Sequence, residues 1–361
     1  MATIELRNLH YSYASQKNES GFTIADLNIT WDDRTAHALL GPSGCGKTTL
    51  LNIVSGLLRP SSGQVLFDGV EVSQLSTRDR HIAQVFQFPV VYDTMSVYDN
   101  LAFPLRNRGQ GEREVRIRVA EIAELLDLSD VLDQGAGRLN PAQKQVVSLG
   151  RGIVRKDTAA VLLDEPLTVI DPVLKLELRR KLRLIQQELN ITMIYVTHDQ
   201  HEALTFADWV TIMNRGKVVQ SATPQALFLN PKTPFVGYFI GSPGMNMMSC
   251  EVTEEGTRIK GSSIELSEAI AGKVRALKGA VELGIRPEFV ETRTQPEVGW
   301  NVFSLQGVEH AGAYQVLTLK SDQLRVKARV NDQFRATEAD KIWARFPPDN
   351  VKVYQDGVLM K

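Results

Sequence analysis

Gly41-Pro42-Ser43-Gly44-Cys45-Gly46-Lys47-Thr48 fits the pattern Gly-x-x-x-x-Gly-Lys-Thr, a loop that wraps phosphate groups. Its glycines, Gly41, Gly44 and Gly46, let the backbone curl so that successive N–H groups point inward. Lys47 brings a mobile positive charge to the β- and γ-phosphates. Thr48 offers a hydroxyl to Mg²⁺, and Thr49 follows in the same first turn. Upstream, Ala36-His37-Ala38-Leu39-Leu40 is short and apolar and reads as a buried strand. Downstream, residues 48–56 read as a helix whose positive N-terminal end faces the phosphates. Strand, loop and helix stand in the order the motif requires. ATP with Mg²⁺ is the expected ligand, bound by Pro42, Ser43 and Cys45 together with the glycines, Lys47, Thr48 and Thr49.

Two further apolar runs deliver chemistry to the same place. Ala159-Ala160-Val161-Leu162-Leu163 ends in Asp164-Glu165-Pro166. A short apolar run of this kind is a strand covered on both faces of a parallel sheet. Acids at its carboxyl end lie where such sheets bind ligands. Beside a phosphate-binding loop, Asp164 is the expected Mg²⁺ partner and Glu165 the general base for attacking water. Residues 191–196 form another apolar strand and lead into Thr197-His198-Asp199. His198 is placed to donate a hydrogen bond to a γ-phosphate. His198, His201 and Glu202 also have a metal-ligand spacing, but the nucleotide accounts for His198 and leaves His201 as an ordinary surface residue. Residues 81–87 read as a strand with Gln87 at its exit.

The other elements follow from periodicity. Residues 4–9 alternate like a strand, and Tyr11 and Tyr13 precede a polar turn over residues 14–21. Ser96 caps a helix running to Leu105, residues 112–128 form an amphipathic helix, and residues 172–189 form a long one with a solvated basic face. Asn214-Arg215-Gly216-Lys217 turns a hairpin. Beyond Gly241-Ser242-Pro243-Gly244 the alternation of helix and strand stops. Residues 245–361 read as short strands in a separate barrel-like domain without catalytic residues.

Composition narrows the function. The 361 residues carry a net charge of −1, which announces no broad basic surface for nucleic acid. No apolar run is long enough to span a bilayer, and no signal-peptide pattern opens the chain. Two cysteines, Cys45 and Cys250, build no disulfide framework. A soluble ATPase of DNA repair or translation would call for a coiled-coil insertion, two cassettes or a basic surface, and none is visible in the sequence.

The phosphate loop, Gln87, Leu162-Leu163-Asp164-Glu165-Pro166, Asp171 and Thr197-His198-Asp199 occur in the order and spacing of ABC-transporter ATPase subunits, which this chain resembles over essentially its whole length. Leu283-Gly284-Ile285-Arg286-Pro287-Glu288 resembles the regulatory-domain motif of maltose-type importer ATPases. The resemblance implies an α/β cassette with a RecA-like core over residues 1–240. A helical subdomain would lie near 89–155, followed by an OB- or TOBE-type β-rich regulatory domain over 241–361. Each nucleotide would lie between one chain's phosphate loop and the partner's signature helix. Tyr13 matches the adenine-stacking aromatic, Gln87 would complete the metal and water site with Asp164, and a groove near Gln87 would dock a membrane subunit. The implied partners are two transmembrane permease subunits, a second ATPase subunit and, indirectly, a periplasmic or extracellular solute-binding protein. The implied location is the cytoplasmic face of the cell membrane.

One motif departs from the family. The signature Leu-Ser-Gly-Gly-Gln is replaced by Leu139-Asn140-Pro141-Ala142-Gln143. Pro141 has no N–H to give and Ala142 adds a Cβ where close approach is wanted. Asn140 and Gln143 remain as candidate contacts to a partner's nucleotide. Asn140 and Pro141 still suit a helix start as N-cap and first residue. Ala142-Gln143-Lys144-Gln145, Thr168-Val169-Ile170-Asp171-Pro172 and Gly244-Met245-Asn246 resemble the ATPase pair of bacterial glycerol importers. That implies two unlike ATPase chains per transporter and a polyol cargo. A nucleotide-binding regulatory subunit that does not hydrolyse ATP is the competing expectation.

Overall fold

In the computed structural model, residues 1–13, 23–253, 256–264, 266–336 and 340–360 are described. The polar turn expected at residues 14–21 lies outside them. The chain forms two compact units, Met1–Pro224 and Gln225–Lys361.

The first unit is built on a six-stranded sheet. Its order is Lys217–Ala222, Trp209–Asn214, Ala36–Leu40, Met193–Thr197, Ala160–Asp164, Ile82–Val85. All neighbours are parallel except the hairpin pair Trp209–Asn214 and Lys217–Ala222. Ala36–Leu40, Ala160–Asp164 and Met193–Thr197 are buried at every position, as continuous apolar runs require when both faces are covered. Register sets Leu40 opposite Thr197 and Asp164 opposite Val196, so these strands discharge at one edge. A four-stranded antiparallel sheet, Thr23–Trp31, Ile4–Ser12, Ser62–Phe67, Val70–Glu71, shares a core with the helix Lys47–Ser55 through Leu6, Trp31, Leu50 and Val54.

Between Ile82–Val85 and Ala160–Asp164 the chain is helical: Val97–Arg106, Glu112–Leu125 and Pro141–Ile153. Ser96 caps the first by accepting from the Asp99 N–H. The second ends at Leu125, three residues before the expected 128, because Asp127 takes a left-handed φ of 53° that no helix continues.

The second unit packs two five-stranded antiparallel sheets around Leu283, Ile285, Phe303, Leu317 and Val326. It is not purely β. Glu268–Arg275 is a helix that buries Ile270, Ala271 and Val274. The short helices Pro224–Leu229 and Pro234–Phe239 also belong with this unit, so the compact units divide some sixteen residues before the 240/241 boundary expected from sequence.

Arg286 explains that assignment. It is 1% exposed and donates to the carbonyls of Phe228 (2.8 Å), Gly237 (3.2 Å) and Ile240, with its guanidinium 4.0 Å over the Phe228 ring. Burial lowers its pKa to about 10, with the nearby Glu288 acting in the opposite direction. Arg286→Met leaves three carbonyls, two of them buried, without their donor and is expected to destabilise the unit by about 3 kcal/mol. Urea unfolding of the full chain reads this as an earlier midpoint; an unchanged midpoint contradicts it.

Candidate functional site

The loop Gly41 to Thr48 joins the central strand to the helix Lys47–Ser55. Gly46, the N-cap, has φ 107°, and no side chain caps the helix, so its first N–H groups stay open. A Cβ on Gly41 would meet the Met213 carbonyl oxygen at 2.3 Å and Cys45 Sγ at 2.7 Å. That close packing fixes the loop against the neighbouring strand. Pro42 is half-buried, Ser43 and Gly44 are exposed, and Cys45 is buried with its thiol pKa raised by burial. The Lys47 ammonium is folded back on the loop, 2.8 Å from the Gly41 carbonyl and 3.1 Å from that of Pro42. Phosphate oxygens are stronger partners for an ammonium than two amide carbonyls.

Thr48 and Asp164 come together: Thr48 Oγ1 donates to Asp164 Oδ1 at 3.2 Å. Asp164 is only 6% exposed, and burial raises its carboxyl above the usual range, partly offset by the Thr48 hydrogen bond. A buried carboxylate beside a hydroxyl offers oxygen ligands to a hard cation such as Mg²⁺, while the open N-terminus of the helix that carries Thr48 suits anionic phosphate.

Glu165 and His198 also meet. Glu165 has a left-handed φ of 46° and its N–H donates to the Val196 carbonyl at 3.0 Å. The residue after the strand is thereby turned toward the neighbouring strand's exit. Its Oε1 lies 3.0 Å from His198 Nδ1, and its Oε2 accepts from Thr168 Oγ1 at 3.3 Å. With the proton on Nδ1, the imidazole donates to the carboxylate and leaves Nε2 free. A carboxylate so held can orient water and take its proton.

Tyr13 Oη is 3.2 Å from Thr49 Oγ1, which puts an exposed ring beside the loop. Tyr11 meets Tyr13 edge-on, with ring centroids 4.9 Å apart. Gln87 is half-buried just past Ile82–Val85 and makes no hydrogen bond to Thr48, Asp164, Glu165 or His198 among the described residues. Asn140 and Gln143 are engaged with each other: Asn140 Oδ1 accepts the Gln143 N–H at 2.8 Å, and Gln143 Oε1 accepts the Asn140 N–H at 3.1 Å. This capping box starts the helix Pro141–Ile153, with Asn140 exposed and Gln143 half-buried. Sequence reasoning missed the buried group behind His198, formed by Tyr195, Thr197 and Glu202. Glu202 Oε2 accepts from Thr197 Oγ1 at 2.6 Å and Tyr195 Oη at 3.2 Å. The signal was a glutamate one turn beyond a strand whose alternate residues, Tyr195 and Thr197, carry hydroxyls on one face.

Fold and edge geometry define the class, a P-loop ATPase cassette followed by a β-rich unit. The ABC transporter family pattern matches residues 24–168, and the MalK OB fold domain pattern matches residues 241–290. The chain is 34% identical to sn-glycerol-3-phosphate import ATP-binding protein UgpC of Pectobacterium atrosepticum over 368 residues, covering both chains in full. It is 36% identical to the protein of the same name from Escherichia coli K12, over 92% of this chain and 93% of that one. The solved structure of cbiO1 from Clostridium perfringens, part of the ABC transporter complex cbiONQ, is 29% identical, with a TM-score of 0.57. The match covers 62% of this chain and 89% of that one. The chain belongs to the family of ABC importer ATP-binding subunits, and it is an ATPase carrying a MalK-type OB domain.

Proposed function

We infer that this subunit hydrolyses Mg-ATP at the edge formed by the loop Gly41 to Thr48, Asp164, Glu165 and His198, and that it drives uptake of a small polyol, glycerol or its phosphate. The observation that carries the reading is the pair of contacts at that edge, Thr48 to Asp164 and His198 to Glu165. The first prepares a cation site beside the phosphate loop. The second prepares a base that is held but not buried.

Thr48 and Asp164 would hold Mg²⁺, which supplies charge neutralisation across the β- and γ-phosphates when bound. Lys47 would leave the Gly41 and Pro42 carbonyls for phosphate oxygens, Glu165 would take the water proton, and His198 would contact the γ-phosphate. Tyr13 would stack on adenine. Gln87, at the exit of its strand, would complete the metal and water site. Exposed Phe86, Phe88, Val90 and Tyr92 line the segment after that strand and support docking of a permease helix. Two permease subunits, a second and unlike ATPase chain and an external solute-binding protein complete the transporter. No described helix is long and apolar enough to cross a membrane, so attachment at the cytoplasmic face would run through the permeases.

The curated relatives named for sn-glycerol-3-phosphate import support a three-carbon polyol cargo. Cells lacking the chain are expected to lose high-affinity uptake of labelled glycerol or of labelled sn-glycerol-3-phosphate, with recovery on re-expression. Unchanged uptake of both overturns the cargo assignment and leaves the ATPase assignment standing.

A further inference from the structure

Glu202 stands one turn beyond His198, in the helix Gln200–Phe206, and is 5% exposed. A carboxylate this deep needs donors, and it has three neighbours that supply them. Thr197 Oγ1 donates to Oε2 at 2.6 Å, Tyr195 Oη donates to the same oxygen at 3.2 Å, and Lys175 Nζ lies 3.9 Å from Oε1. Tyr195 is fully buried, and burial next to this carboxylate raises its phenol pKa well above the ordinary value, which keeps it a donor.

The Thr197 hydroxyl works twice. It donates to Glu202 and accepts the N–H of Asp199 at 3.0 Å. Asp199 in turn caps the helix that carries Glu202, accepting from the N–H groups of His201 and Glu202. The residues on both sides of His198 are therefore tied to one hydroxyl, and that hydroxyl is oriented by Glu202. The third tie reaches another element. Lys175 belongs to the first turn of Pro172–Leu189, whose N-cap is Asp171. One buried carboxylate thus links the strand Met193–Thr197, the His198 turn and the helix that begins after Asp171.

We propose that Glu202 is a positioning residue for ATP hydrolysis, holding the His198 turn through Thr197 so that the imidazole stays on Glu165. This rests on the reading of Glu165 and His198 as the hydrolytic pair. Freed of Glu202, the turn can rotate. A displacement of about 1 Å at a reacting group costs on the order of 10²-fold in rate. Nucleotide binding depends on the phosphate loop and is expected to be untouched.

The experiment measures kcat and KM for ATP in the assembled transporter, with unfolding temperature recorded for every variant. Glu202→Ala is expected to lower kcat by about 10²-fold with KM unchanged. Glu202→Gln keeps an acceptor oxygen for the two hydroxyls and is expected to recover most of that loss. Should Glu202→Ala not fold, the near-isosteric Thr197→Val removes the same link and Thr197→Ser restores it. In a His198→Ala background, Glu202→Ala is expected to cause no further loss. A Glu202→Ala protein with wild-type kcat, a KM effect alone, or an equal added loss in the His198→Ala background overturns the proposal. A silent His198→Ala overturns the hydrolytic reading itself, whereas a damaging His198→Ala beside a silent Glu202→Ala overturns only the role of Glu202.

Discussion

Glu165→Gln is expected to leave Mg-ATP binding intact and to lower turnover by about 10²–10⁴-fold, the usual contribution of a positioned general base. The amide has nearly the shape of the carboxylate and can still accept a hydrogen bond from His198 Nδ1, at present 3.0 Å from Oε1. It cannot take a proton from water. If the proposed ATPase pair closes on ATP and reopens on hydrolysis, it should then persist closed with ATP bound. Equilibrium nucleotide binding and single-turnover hydrolysis separate the two effects. Loss of binding, or turnover within a few-fold of wild type, contradicts the assignment of Glu165.

The second large effect concerns the signature helix. Among the described residues, the backbone donors at its start are nearly all taken. The Asn140 N–H goes to Gln143 Oε1, the Gln143 N–H to Asn140 Oδ1 and the Lys144 N–H to the Asn140 carbonyl. Pro141 has none, so Ala142 carries the remaining N–H. Two copies of this chain would present the same poor helix end to both nucleotides. Loss of one preorganised donor to a transferring group costs roughly 10²–10³ in rate. The chain alone is therefore expected to hydrolyse ATP about 10²–10³ more slowly than when paired with an ATPase chain of intact signature. In the mixed dimer, Glu165→Gln should be far more damaging than substitutions at Asn140 or Ala142. Equal rates for the lone chain and the complex, or equal harm from both sets of substitutions, contradict functional asymmetry.

The parts of the site written in backbone chemistry were legible. Glycine spacing announces the phosphate loop because only glycine suits the φ of 107° at Gly46, and the apolar run ending in Asp164 announces its strand because solvent-exposed strands alternate. What depended on distant packing was not legible. Glu202 looks like any helix-surface glutamate until Lys175, Thr197 and Tyr195 close over it. Asn140 is readable as an N-cap, but the reciprocal bond from Gln143 Oε1 to its N–H is a three-dimensional detail that composition does not announce. Gln87 lies where its strand predicts, yet strand position does not fix side-chain direction beyond the last paired residue, Val85. In the second unit, Ile270, Ala271 and Val274 carry a helical spacing that strand-rich surroundings masked. The helices after Pro224 group with the second unit through Arg286, a contact across about fifty residues that no local pattern contains.

The most direct test of ATP-driven import by this chain is cargo uptake into proteoliposomes holding it together with its co-purifying membrane proteins and ATP in the compartment it faces. The account predicts uptake that requires ATP and stops when Glu165→Gln replaces the wild-type subunit, with the complex still assembled. Uptake that continues undiminished with Glu165→Gln would contradict it.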